Sequence, residues 1–153
     1  MANTYSQIYM QTVFAVKYRE AVLDKKWRSE IFAIMGNLIN EAGCKTFIVK
    51  GVEDHVHCFF GMKAKHSASE IMKIVKAKSS KYINENNLTK NRFEWQSGFG
   101  AFSYNPESID NVFKYIKNQE EHHEKENFKL EYLEMLERYL IPFDERYIFE
   151  DLK

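Results

Sequence analysis

Two apolar runs stand almost end to end in the middle of the chain. Residues 44–52 read CKTFIVKGV and residues 55–63 read HVHCFFGMK, with only Glu53 and Asp54 between them. Strand-forming runs this close together predict an antiparallel hairpin. A further strand is predicted over residues 5–18, YSQIYMQTVFAVKY. There Ile8, Met10, Phe14 and Val16 fall on one face and Gln7, Gln11 and Lys17 on the other, the period of a half-buried strand. GFGAFSY at 98–104 predicts a fourth.

Helical patterns fill the gaps. Asp24 is a candidate N-cap, followed by Trp27, Ile31, Ile34 and Leu38 at helical spacing, with Gly43 as the stop. A second helix starts at Ser67 or Ser69, carries Ile71, Val75 and Tyr82 as its apolar stripe, and fades in NENNLTKN. A third opens on NPES, with Asn105 at the N-cap, Pro106 at the first helical position, and Glu107 and Asp110 near the positive end of the dipole. It is expected to run to about His123. Residues 128–140 predict a further short helix, and IPFDERYIFEDLK an extended tail. The order β-α-β-β-α-β, then helices, predicts an α+β fold of the ferredoxin-like, split β-α-β kind. It is one antiparallel sheet backed by helices, in a single domain over residues 1–153.

Composition narrows the setting. The 153 residues are 44% hydrophobic, enough for a real core, and the two cysteines, Cys44 and Cys58, show no framework spacing. A reduced, cytoplasmic protein is expected, without a membrane span or an apolar leader. The net charge of zero hides a split. Residues 63–92 carry eight basic residues, including Lys73, Lys76, Lys78 and Lys81, against Glu70 and Glu85, a balance of +6. Residues 120–153 carry eleven acidic and five basic residues, a balance of −6. The basic segment fits either a surface for a polyanion or a solvated helix face.

The run DHVHCFF at 54–60 raises a sharper question. On a strand, His55 and His57 share one face while Val56 and Cys58 share the other. Read alone, the pair is either a grip for one metal ion or two surface histidines. Further ligands are on offer in DNVFKYIKNQEEHH: Tyr115 and Gln119 stand at i and i+4, with His122 and His123 beyond. A tyrosine beside a cation suits attack on a phosphodiester, because the ion neutralises the electrophile. Tyr115 also reads as a core aromatic beside Val112 and Ile116, and Gln119 as an exposed helix residue.

Together, DHVHCFF and KYIKNQEEHH resemble the His-hydrophobic-His and Y-x-x-x-Q motifs of the single-tyrosine transposases of the insertion sequence 200/605 class, within the HUH endonuclease superfamily. Relatives associated with repeated extragenic palindromes are included. WQSGFGAFSY and FDERYIF are also similar to that family, and the likeness covers roughly residues 5–150. One departure is Glu53, where the family typically has proline before the aspartate of the strand; the histidines are unaffected.

The resemblance implies roles. His55, His57 and Gln119 match the ligands of a divalent metal, Mg²⁺ or Mn²⁺, and Tyr115 matches the nucleophile. The implied activity is metal-dependent cleavage and rejoining of single-stranded DNA next to a hairpin, through a 5′-phosphotyrosine intermediate. Lys73, Lys76, Lys78 and Lys81 become candidate phosphate contacts, and Trp95 and Tyr104 candidate stacking platforms for bases. A homodimer with shared active sites is implied, its pairing helped by a first strand lying at an open edge. Two rivals stand beside this reading. One is a non-catalytic nucleic-acid-binding module of the same fold. The other is a small-phosphoester hydrolase using His55, His57 and His122 or His123.

Overall fold

The computed structural model describes residues 3–119 and 128–142. Four strands, β1 (Ile8–Ala15), β2 (Lys45–Gly51), β3 (His55–Met62) and β4 (Gly100–Tyr104), form one antiparallel sheet in the order β2-β3-β1-β4. Four helices are described: α1 (Arg28–Glu41), α2 (Ala68–Glu85), α3 (Ile109–Lys117) and α4 (Phe128–Arg138). Sequence order and strand order together are those of the predicted ferredoxin-like arrangement. Among the described residues, no helix is long and apolar enough to cross a membrane.

The predicted hairpin forms. β2 and β3 pair from Gly51↔Val56 outward, and the Val52 N–H closes the turn on the His55 carbonyl at 3.1 Å. A Cβ at Gly51 would collide with the His55 carbonyl oxygen and with Val56 Cα, so a side chain has no room there. Two of the three predicted caps follow the sequence; Asp24 does not cap α1, which starts at Arg28 after Trp27, and its Oδ1 instead accepts from Lys26 N at 2.8 Å in the preceding turn. Ser67 Oγ accepts from Glu70 N at 3.1 Å, which selects Ser67 over Ser69. Asn105 Oδ1 accepts from Ser108 N at 3.0 Å.

Parity along the strands divides the core in two. Phe14, Val16, Val56, Cys58 and Phe60 pack against Ile31, Met35 and Ile39 of α1 and Ile71, Met72 and Val75 of α2. The opposite face is covered as well. Val13, Ala15 and Phe102 meet Leu136 of α4, and Phe59 meets Val112 and Ile116 of α3. The sheet is thus the middle of three layers. This corrects two expectations about β1. Its Gln11 face is buried rather than exposed, with Gln11 at 1%. It also lies inside the sheet, so the open edges are β2 and β4, and edge-to-edge pairing through β1 has no basis.

The third helix is shorter than its sequence pattern implied. It ends at Lys117, where Asn118 leaves helical geometry (φ −97°, ψ 26°). His122, His123 and the closing FDERYIF lie outside the described residues. Cys44 and Cys58 are both free. Cys58 is buried under α1 and α2, and burial pushes its thiol up to about 12, which keeps it inert.

Candidate active site

β3 alternation places His55 and His57 on the face covered by α3 and α4. Both are fully buried, at 0% exposure, so they are not surface histidines. Their ring centroids lie 5.2 Å apart. Each imidazole is anchored through Nδ1. His55 Nδ1 donates to Asp54 Oδ1 at 2.7 Å, and His57 Nδ1 donates to Gln11 Oε1 at 2.6 Å. Gln11 is itself oriented, since its Nε2 donates to the Tyr104 hydroxyl at 2.7 Å. In the neutral tautomer with the proton on Nδ1, the state a metal ion requires, each Nε2 presents a lone pair.

Those lone pairs face other acceptors. His55 Nε2 lies 3.2 Å from Gln119 Oε1. His57 Nε2 lies 3.0 Å from Glu131 Oε1, within reach of a hydrogen bond but without its geometry. Acceptor facing acceptor in a buried site is unfavourable unless a cation lies between them. Imidazoles fixed at one nitrogen by an outer partner, with the other turned inward, are also how histidines are held as metal ligands. The ligating atoms of His55, His57 and Glu131 all lie within 4.8 Å of one another, so this cluster can hold a metal ion. Burial pushes the His57 pKa down, which favours the neutral, ligating imidazole. For Glu131, burial alone would raise the pKa; the neighbouring imidazoles, His57 first, bring it below its ordinary value when they carry a proton.

α3 delivers the tyrosine. Ile109, Val112 and Ile116 recur at helical spacing and seat the helix on Phe59. Tyr115, beside them, is only half-buried; its ring centroid is 6.3 Å from that of His57. Gln119 reaches His55 from beyond the helix end rather than from one continuous helix. A cleft of about 660 Å³ opens beside Tyr115 between α3 and α4, lined among others by Gln11, Tyr104, Asn111, Glu131 and Arg138.

Glu131 is the residue that sequence reading missed. It is 4% exposed, in the helix of the segment whose charge balance is −6. The signal was present: Glu131 falls four residues before Met135, on the helix's inward stripe with Tyr132 and Leu136. An acidic residue inside such a stripe needs a buried partner.

The other candidates separate from this site. α2 packs on the far layer, so its lysines are not gathered with the histidines. Lys73, Lys78 and Lys81 are exposed. Lys76 is not: its Nζ donates to the carbonyls of Gln96 (2.7 Å) and Gly98 (2.8 Å) and lies 5.4 Å from the Phe14 ring centre. It pins the approach to β4 instead of facing DNA. Lys76→Ala is therefore expected to cost about 1–3 kcal/mol of stability, since two carbonyls lose a charged donor. Lys73→Ala and Lys78→Ala are expected to stay within about 0.5 kcal/mol; urea unfolding of the three variants checks this. Trp95 also drops out as a stacking platform. It is 8% exposed, donates from Nε1 to Ser79 Oγ at 2.9 Å, and packs edge-on against Phe14 and Phe93. Tyr104 is held between Gln11, Phe59 and Tyr139.

Comparisons with known proteins agree with this layout. A protein from Deinococcus radiodurans R1 carrying a provisional transposase assignment has a similar structure, with TM-score 0.63 and 18% identity over 78% of this chain and 95% of that one. The structure of a REP-associated tyrosine transposase bound to a REP hairpin is similar at TM-score 0.60 and 12% identity, over 80% of this chain and 73% of that one. No curated protein sequence matches. The family model described as "Transposase IS200 like" matches residues 4–119, three quarters of the chain and both motif histidines. With its strand histidines, its tyrosine and its glutamine gathered at one buried site, the chain belongs to the IS200-like transposases.

Proposed function

We propose that this transposase cleaves and rejoins single-stranded DNA beside a hairpin, with Tyr115 as the nucleophile and a metal site on His55, His57 and Gln119. The observation that carries the reading is the pair of anchored imidazoles turned toward Tyr115 and Gln119 of the same chain. A divalent ion held there, Mg²⁺ or Mn²⁺, supplies positive charge at the scissile phosphate.

The chain's own groups do the rest. Asp54 and Gln11 fix the imidazoles. Tyr115, half-buried at the mouth of the cleft, is accessible to a strand lying along it. Its oxygen bonds to phosphorus, the bond from phosphorus to the 3′-oxygen breaks, and that oxygen leaves as a hydroxyl. The phosphotyrosine keeps the bond energy. A 3′-hydroxyl from another strand then displaces Tyr115, so no nucleotide cofactor is consumed. The reading puts the reaction in the cytoplasm.

The hairpin substrate is supported by the similar transposase bound to a REP hairpin and by the exposed lysines of α2. Resemblance alone suggested a homodimer whose tyrosine helix completes the partner's site. The placement of Tyr115 and Gln119 at this chain's own histidines supports a site complete within each chain, whether or not two chains pair.

Single-stranded hairpin DNA is expected to bind more tightly than a duplex of matched length. Its affinity should fall as salt rises, by a log–log slope of about 0.7–0.9 per phosphate contacted. Replacing Lys73, Lys78 and Lys81 by Ala should flatten that slope. Fluorescence anisotropy across a salt series reads both. Equal affinity for hairpin and duplex would overturn the substrate assignment.

A further inference from the structure

Glu131 comes from α4, outside both motifs that define the site. Its Oε1 stands 3.0 Å from His57 Nε2, and in the neutral imidazole that donates from Nδ1 to Gln11 that nitrogen offers a lone pair, not a hydrogen. Both atoms are buried, and neither makes a hydrogen bond. The same carboxylate lines the cleft beside Tyr115. A carboxylate has about four acceptor positions on its two oxygens, so it can serve a cation and a phenol together.

We infer that Glu131 is a fourth ligand of the divalent cation, beside His55, His57 and Gln119, and that it also holds the Tyr115 hydroxyl in position. This rests on reading the histidine pair as a metal site. One side chain then sets the distance between ion and nucleophile. Its negative charge also gives the site a pull on divalent ions that two neutral imidazoles and an amide lack. Gly100 makes the placement possible. A Cβ there would lie 2.6 Å from the Tyr132 ring, so the bare backbone of β4 lets α4 settle deeply enough for the adjacent Glu131 to reach the row of β3 and β1 that contains His57 and Val13.

The test is Mn²⁺ titration of the metal-free protein by calorimetry, together with thermal unfolding in chelator and in Mn²⁺. Glu131→Gln keeps shape and an acceptor oxygen but removes the charge. It is expected to weaken Mn²⁺ binding by about 10- to 100-fold, the range of losses seen around metal sites. In chelator it should melt at or above wild type, because the carboxylate no longer faces a lone pair. The rise in melting temperature on adding Mn²⁺ should shrink. A purely structural Glu131 predicts the reverse: lower stability in chelator and unchanged Mn²⁺ affinity, and that result overturns the ligand role. His57→Ala is the reference. If wild type and His57→Ala both fail to bind Mn²⁺, the metal reading itself fails.

The positioning role is read separately, by covalent adduct formation in a single turnover at saturating Mn²⁺. Glu131→Gln, whose amide oxygen can still accept from Tyr115, should form adduct faster than Glu131→Ala. Equal rates overturn that half of the inference.

Discussion

Tyr115→Phe is expected to eliminate the covalent protein–DNA adduct, not merely slow it, while hairpin affinity stays at the wild-type level. The substitution removes one oxygen and keeps the ring that packs beside Val112 and Ile116 on Phe59. The hydroxyl it removes borders an open cleft, so its loss bears on stability by about 1 kcal/mol at most, and the unfolding midpoint should move little. Loss of a covalent nucleophile, by contrast, leaves no intermediate to form. Two neighbouring tyrosines are poorly placed to substitute. The Tyr104 hydroxyl accepts from Gln11, and burial drives its pKa up, as it does for Tyr132. End-labelled hairpin DNA incubated with protein and Mn²⁺, then denatured, reads the adduct directly. Label migrating with the Tyr115→Phe protein would move the nucleophile elsewhere. No adduct from wild type on a cognate end sequence would favour the non-catalytic binding module. Mixing Tyr115→Phe with His57→Ala extends the test. Because each tyrosine stands at its own chain's histidines, the mixture should stay inactive; restored adduct would mean that sites are shared between chains.

The second large effect belongs to the histidines. Replacing both His55 and His57 by Ala is expected to abolish cation binding and metal-dependent cleavage. Both are fully buried, and each satisfies an outer partner. Stability should therefore fall too, by about 1–3 kcal/mol for each polar partner left unpaired in the interior. Asp54, partly exposed, will feel this less than Gln11. Hairpin binding should largely survive, because the exposed lysines of α2 sit on the other side of the sheet. Urea unfolding, Mn²⁺ titration and the cleavage assay separate the three effects. Wild-type cleavage by the double variant would refute the site.

Much of this architecture was readable in advance. Strand parity put His55 and His57 together, Glu53 and Asp54 implied the hairpin, and Ser67 and Asn105 marked helix starts. What failed to show were relations between elements. Alternation along residues 5–18 gave β1 its two faces but not its neighbours, so its central position and second covering layer were invisible. Lys76 and Trp95 were weighed by residue type. Their actual partners, the Gln96 and Gly98 carbonyls and Ser79 Oγ, lie 16 to 22 residues away. Glu131 was hidden for the same reason: no local pattern connects an acidic helix to a histidine strand more than seventy residues earlier. The motif residues were legible because each lies close in sequence to the others of its set.

The missing side chain at Gly100 makes the site adjustable from a distance. Gly100 lies across Val13 from His57, one strand away, and the ring of Tyr132 occupies the space its Cβ would need. Any residue larger than glycine would act as a spacer under α4, lifting its neighbour Glu131 away from His57 by a fraction of a helix diameter. Selection could therefore retune the coupling between α4 and the proposed metal site through one backbone position, leaving both signature motifs untouched.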